Sequence, residues 1–153
     1  MKEKVVAFFQ EKYKVNPLIV KAPGRVNIIG EHTDYNLGYV LPAAIDKGIF
    51  FALQKNESSR ITIETFLEFP AEISFSLYGN SDIFSVSWGK YIQAILQLLR
   101  QKEYTIEGFN CVFAGDIPIG AGLSSSAALC CGFIFSISEL FSLNIPKTEI
   151  ALL

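Results

Sequence analysis

Residues Gly108-Phe-Asn-Cys-Val-Phe-Ala-Gly-Asp-Ile-Pro-Ile-Gly-Ala-Gly-Leu-Ser-Ser-Ser-Ala127, continued by Ala-Leu-Cys-Cys-Gly-Phe-Ile-Phe-Ser-Ile-Ser138, decide the architecture of this chain. The run Gly108 to Ala114 reads as a strand. Gly115, Pro118, Gly120 and Gly122 then break it, and from Ser124 onward the residues form a helix that is apolar almost all round and so belongs in the centre of a fold. Glycines let a backbone turn its N–H groups toward an anion, the helix N-terminus adds positive dipole, and serine hydroxyls can donate to phosphate or hold a cation. The residues alone leave two readings open: a phosphate cradle, or a Gly-rich turn closed by serine N-caps. A Walker A loop is excluded because no Lys follows the glycines. A dinucleotide fingerprint is excluded because Ser125 stands where its third Gly belongs.

The same stretch mimics a membrane span, since Ile117 to Ser138 carries no charge over 22 residues. Its first third holds a proline, two glycines and three serines, leaving only Ala127 to Ile137 solidly apolar. That pattern suits a loop feeding a buried helix, and no membrane segment is expected.

Working outward, Val5, Phe8, Phe9 and Tyr13 share one face of a helix over residues 2 to 14. From Pro17 to Leu53 short β-branched runs (Leu18 to Val20, Val26 to Ile29, Ile49 to Leu53) are punctuated by Pro23-Gly24, Asn36 to Gly38 and Pro42, which reads as strands with tight connections. Ile61 and Ile63, then Ile73, Phe75 and Leu77, alternate with polar residues in two further strands. Ser87 is placed to cap a helix in which Trp88, Tyr91, Ile92, Ile95, Leu96 and Leu99 recur at helical spacing. Asn144-Ile-Pro146 starts a last helix whose Ile150, Leu152 and Leu153 are expected to lie exposed, and the chain is read as truncated there.

Composition bounds the function. At 153 residues the chain is one domain or a piece of a larger one, and half its residues are apolar while 18% are charged. With a mean hydropathy of +0.34, it must build a sizeable core and is not a disordered tail. A net charge of −2 without a Lys/Arg run argues against nucleic acid as a partner. Adjacent Cys130 and Cys131 with a lone Cys111 form neither a disulfide framework nor a metal spacing, and the N-terminus is no secretory signal, so the expected location is cytoplasmic. The sequon Asn56-Glu57-Ser58 is then unused.

A second segment, Gly24-Arg-Val-Asn-Ile-Ile-Gly-Glu-His-Thr-Asp-Tyr-Asn36, places an Arg, two carboxylates and the sole histidine within ten residues. A strand from Arg25 to Ile29 breaking at Gly30 presents Glu31, His32 and Asp34 on one loop, where hydrogen-bond acceptors suit polyol hydroxyls. A solvated charged turn is the other reading of the same residues. An EF-hand fails for want of acceptors at Gly38 and Ile45, and no H-E-x-x-H is present.

Taken together, the two segments are specific. Gly24 to Asn36 resembles the signature of galactokinases, and Pro118 to Ala127 resembles the ATP-phosphate motif of the GHMP small-molecule kinase superfamily. The resemblance runs from about Pro17 to the end. It implies an α+β fold, the N-terminal domain of the GHMP kinase type, with a mainly β sheet layer packed against helices. Residues 1–153 are accordingly expected to be one galactokinase-like N-terminal domain, truncated. It also implies galactose and ATP as ligands and Mg²⁺ as cofactor. Arg25 matches the arginine that stabilises the phosphoryl-transfer transition state. Glu31, His32, Thr33 and Asp34 match the sugar-binding loop. Gly120, Ala121, Gly122, Leu123, Ser124, Ser125 and Ser126 match the loop around the ATP phosphates, with Ser126 at the Mg²⁺ position. Trp88 and Tyr91, in Trp-Gly-Lys-Tyr, resemble the aromatic pair beside adenine, while their helical spacing equally fits core packing.

One departure and one absence stand out. Many galactokinases carry an acidic residue near the position of Cys130; repacking with ATP binding retained is expected here. The family's catalytic aspartate, second Mg²⁺ carboxylate and C-terminal Gly-rich motif all fall beyond Leu153, so residues 1–153 alone are expected to be inactive. Self-association through surface left uncovered, above all the helix after Ser126, is also expected. Kinases for N-acetylgalactosamine or arabinose, and a non-catalytic galactose/ATP-binding regulator, remain as alternatives to a galactokinase.

Overall fold

The computed structural model describes residues 1–30, 36–66, 70–77, 86–118 and 120–153. Five strands, β1 (Leu18–Ile29), β2 (Leu41–Lys55), β3 (Arg60–Thr65), β4 (Ala71–Ser76) and β5 (Phe109–Gly115), form one sheet in the order β1-β2-β5-β3-β4. Four helices accompany them: α1 (Lys2–Tyr13), α2 (Ser87–Gln101), α3 (Ser125–Phe141) and α4 (Lys147–Leu152). β5 is antiparallel to β2 and parallel to β3, the arrangement a helical crossover through α2 permits. The expected α+β class with a sheet against helices is what the chain adopts.

Alternation along β2 and β5 sends their side chains to two apolar layers, one on each side of the sheet. Phe51, Leu53, Phe109, Cys111 and Phe113 face α2 and α3, together with Ile61 and Ile63 of β3. Ala52, Val112 and Ala114 face the other way, onto Val5 and Phe9 of α1. β5 is therefore apolar on both sides, as a central strand must be. Phe9, Phe51, Phe109 and Phe133 are fully buried, and truncating any one to Ala would cost about 3–5 kcal/mol. The two buried serines of α3 are satisfied: Ser136 Oγ donates to Gly132 O at 2.6 Å, and Ser138 Oγ accepts from Ile145 N–H at 3.1 Å.

Four details differ from the sequence reading. The runs Leu18–Val20 and Val26–Ile29 are one strand: Pro23-Gly24 is an irregularity between Pro23 and Arg25, not a connection, and Pro42 lies inside β2. Pro23 is tolerated because β1 is an edge strand, and Pro42 because β2 pairs with β5 only from Ile49 onward; the β1–β2 ladder is irregular beside both. Ser87 is the first residue of α2 rather than its cap; Val86 occupies the cap position without a side-chain hydrogen bond. Ile150 is 5% exposed, and Leu153 packs partly against the core, so of the last helix's three apolar residues only Leu152 is bare. Finally, α3 is covered within the chain, with Ala128, Leu129, Phe133, Ile134 and Ile137 buried against the sheet and its neighbouring helices. Most of the large exposed apolar side chains among the described residues instead gather at the far end of the β1–β2 hairpin, at Ile28, Ile29, Leu37, Tyr39, Val40 and Leu41.

Candidate functional site

The Gly-rich loop joins β5 to α3, so a central strand and a central helix hold its two ends. Gly120 and Gly122 have φ of +75° and +69°, and Ser124 follows at φ 57°, while Ala121 and Leu123 between them keep the ordinary sign. Alternation of sign turns successive N–H groups to one side of the chain, forming a concavity that suits an anion. A Cβ at either glycine would meet nothing within 4 Å, so the requirement is conformational and the loop is open.

Ser124 does not act as a side-chain cap for α3. A capping serine sits in the β region with its oxygen on the N–H two or three residues ahead. Ser124 instead sits in the left-handed region and makes no side-chain cap bond. Its carbonyl accepts from Ala128 N–H at 3.0 Å, starting the helix. The hydroxyls of Ser125 and Ser126 bond to no other described residue, and the first N–H groups of α3 are left without a capping side chain at an end that is open to solvent.

Arg25 lies on β1, exposed, opposite Ala44 of β2. Its backbone N–H donates to Leu123 O at 3.2 Å. This bond ties the strand that opens the first motif to the last turn of the second. Gly24 makes the approach feasible, since a Cβ there would come to 3.1 Å from Leu123 O and to 3.0 and 3.2 Å from the Cδ1 atoms of Ile45 and Ile117. Glu31, His32, Thr33 and Asp34 follow β1 and lie outside the described residues.

Trp88, in the first turn of α2, is half-buried and meets Phe113 edge-on with ring centroids 5.1 Å apart. It therefore stands beside the end of β5 from which the Gly-rich loop departs. Tyr91, one turn on, is 48% exposed. Cys130 is half-buried on α3, where burial and then the neighbouring Cys131 push its thiol pKa up, so the position is neutral.

Two residues that the motifs underplay matter for the loop. Asp116 Oδ1 accepts from Gly48 N–H at 2.8 Å, and Asp116 N–H donates to Gly48 O at 3.1 Å. A glycine interrupting the apolar run of β2 was the available signal of a close backbone approach. No group of three or more His, Cys, Asp or Glu able to hold a metal occurs among the described residues. Nor is any helix among them long and apolar enough to cross a membrane.

A sheet with this loop feeding a central helix defines the N-terminal domain of GHMP kinases, whose family model matches residues 90–153. Residues 7–55 match the galactokinase galactose-binding signature, and the chain belongs to the galactokinase family, as an N-terminal portion. It is 41% identical over 146 residues to a Roseiflexus galactokinase, covering 95% of this chain and 37% of that protein. Identity to the galactokinase of Pyrococcus furiosus is 40% over 139 residues, covering 91% and 38%. The crystal structure of Lactococcus lactis galactokinase complexed with galactose matches with a TM-score of 0.83 at 31% identity, over 97% of this chain and 39% of that one. The chain thus spans less than two fifths of the length of these relatives.

Proposed function

We propose that the complete protein transfers the γ-phosphoryl group of ATP to the anomeric hydroxyl of galactose, residues 1–153 forming its N-terminal domain. The observation that carries this reading is the bond from Arg25 N–H to Leu123 O at 3.2 Å. It holds an anion-shaped loop against the strand that bears a galactose-binding signature. In this reading the backbone N–H groups of Gly120 to Ser124 and the first turn of α3 receive the nucleotide phosphates. Arg25 puts its guanidinium against charge that spreads over the transferring group, so its contribution is greatest in the transition state. Glu31 and Asp34 accept hydrogen bonds from sugar hydroxyls, His32 and Thr33 donate or accept, and Trp88 with Tyr91 flanks the adenine.

Ser126 offers one free hard oxygen at the start of α3, which fits Mg²⁺ held mostly by phosphate oxygens and water rather than by a protein cage. When bound, Mg²⁺ neutralises phosphate charge. Asp116, whose Oδ1 accepts from Gly48 N–H, is given no proton-transfer role in this scheme. The proton of the sugar hydroxyl then goes to a carboxylate outside residues 1–153, and this piece alone is expected to show no turnover. Three free cysteines fit a cytoplasmic setting.

The test is a coupled assay of the complete protein with ATP, Mg²⁺ and galactose, with N-acetylgalactosamine and arabinose in parallel. Galactose-dependent ADP release exceeding that with the other two sugars supports the reading. Preference for either alternative, or binding of galactose and ATP without turnover, refutes it. The 40–41% identity to galactokinases favours galactose over those alternatives.

A further inference from the structure

The Gly-rich loop is anchored to the β1–β2 hairpin at both of its ends. At its start, Asp116 forms two bonds with a single residue of β2: its N–H donates to Gly48 O at 3.1 Å, and its Oδ1 accepts from Gly48 N–H at 2.8 Å. The β2–β5 ladder ends one step earlier, at Ile49 opposite Gly115. The carboxylate therefore supplies an acceptor where a further strand residue would have supplied a carbonyl. At its finish, Leu123 O accepts from Arg25 N–H at 3.2 Å. Gly48 pairs with Pro23, and Ala44 with Arg25, so the two anchors fall two residues apart along β1. Among the described residues no other backbone bond fastens the loop to the hairpin.

We propose that Asp116 is a positioning residue for the nucleotide phosphates. Its bond to Gly48 fixes where the loop leaves the sheet, and with Leu123 it aims the Gly120–Ser124 concavity and the α3 N-terminus at the side of the hairpin bearing Arg25. A loop held at one end only would sample orientations in which its N–H groups no longer converge, and binding would have to restore the right one. Asp116 is itself solvent-exposed, so removing its carboxylate opens no core cavity, and the effect falls on the loop. This proposal rests on the phosphate-binding reading of the loop.

The experiment compares Asp116→Ala, which removes the acceptor, with Asp116→Asn, which keeps an oxygen for Gly48 N–H. In the complete protein each is titrated separately with a Mg²⁺-loaded non-hydrolysable ATP analogue and with galactose, alongside thermal melts and steady-state kinetics. Asp116→Ala is expected to weaken the analogue about tenfold, the loss of one hydrogen bond that orders a loop. KM for ATP should rise more than kcat falls, and galactose affinity should stay within about twofold. Asp116→Asn is expected to track wild type in every readout. Unchanged analogue affinity in Asp116→Ala overturns the proposal, as does equal loss in the Asn variant. Parallel loss of both ligands with a large fall in Tm also overturns it, because that marks a general structural role. A wild type that binds the analogue without phosphorylating galactose refutes the functional reading alone, and the same titrations then decide the role of Asp116.

Discussion

Gly24→Ala probes the contact on which the site depends. The added methyl would sit 3.1 Å from Leu123 O and 3.0 and 3.2 Å from the Cδ1 atoms of Ile45 and Ile117. The two isoleucine tips can rotate away. The carbonyl is backbone, and an ordinary carbon–oxygen contact begins near ~3.3 Å, so Leu123 has to retreat by a few tenths of an ångström. Its bond from Arg25 N–H already measures 3.2 Å, and that retreat carries it to the edge of hydrogen bonding. Losing the bond costs about 0.5–1.5 kcal/mol, and residual crowding adds about 1 kcal/mol, at the low end for overpacking because two of three neighbours yield. A total near 2 kcal/mol should lower Tm by several degrees. The nucleotide-binding share is about 1 kcal/mol, a roughly five- to tenfold loss, since binding must re-seat the loop. Calorimetric titration of the complete protein with a non-hydrolysable ATP analogue, then with galactose, separates the two ligands. An analogue affinity within twofold of wild type and an unchanged Tm would refute the argument that the loop is held through this contact.

In the proposed role, with the guanidinium acting on charge present in the transition state, Arg25→Ala should lower kcat by roughly 10³-fold with little change in galactose affinity; an equal loss in sugar Kd with turnover intact would contradict it. Asp34→Ala should weaken galactose by about 1–3 kcal/mol while the ATP analogue binds normally, since sugar donors lose their acceptor; calorimetry with each ligand reads this directly. Lys12 is held charged above its ordinary value of 10.5, because its bonds to Glu64 and Glu72 outweigh the burial that opposes the charge. A raised lysine adds stability that is full below 10.5 and fades as pH climbs through the folded value. Lys12→Met should therefore melt below wild type at pH 8, with the gap closing at alkaline pH; a gap that stays constant in melts across that range would assign the loss to packing alone. Residues 1–153 by themselves should give no galactose-dependent ADP release in the coupled assay, and measurable turnover would return Asp34 or Asp116 to consideration as a base.

Local periodicity carried much of the fold. The spacing of Trp88, Ile92, Ile95, Leu96 and Leu99 marked α2, and the uncharged run after Ser124 marked α3 as central, because burial on all sides leaves no polar stripe. Alternation at Ile61/Ile63 and at Ile73/Phe75 marked β3 and β4. The β1–β2 hairpin was less legible. Pro23-Gly24 and Pro42 carry the chemistry of turns, and they fit inside strands only because β1 is an edge, β2 has no β5 partner before Ile49, and the ladder between them is irregular beside both. Ser87 and Ile150 were misplaced for the same kind of reason: a cap is a matter of one residue's dihedral angles, and burial depends on which helix lies opposite.

Sequence by itself determined the family and the two motifs, since glycine spacing, the serine run and the Gly24–Asn36 signature are properties of residue order. It also determined that α3 is buried, because a helix without a polar face has nowhere else to go. Only the tertiary structure decided that the motifs meet. Arg25 and Leu123 stand far apart along the chain, and no local rule predicts that a carbonyl of one will rest on the N–H of the other. Whether Ser124 caps α3 was likewise open from the residues alone, and its positive φ and missing cap bond answer it. The bond from Gly48 N–H to Asp116 Oδ1, at 2.8 Å, also joins residues far apart in the sequence. In each case the deciding quantity is a distance or a dihedral angle set by how strands register across the sheet, and register is a property of the assembled sheet rather than of any one segment.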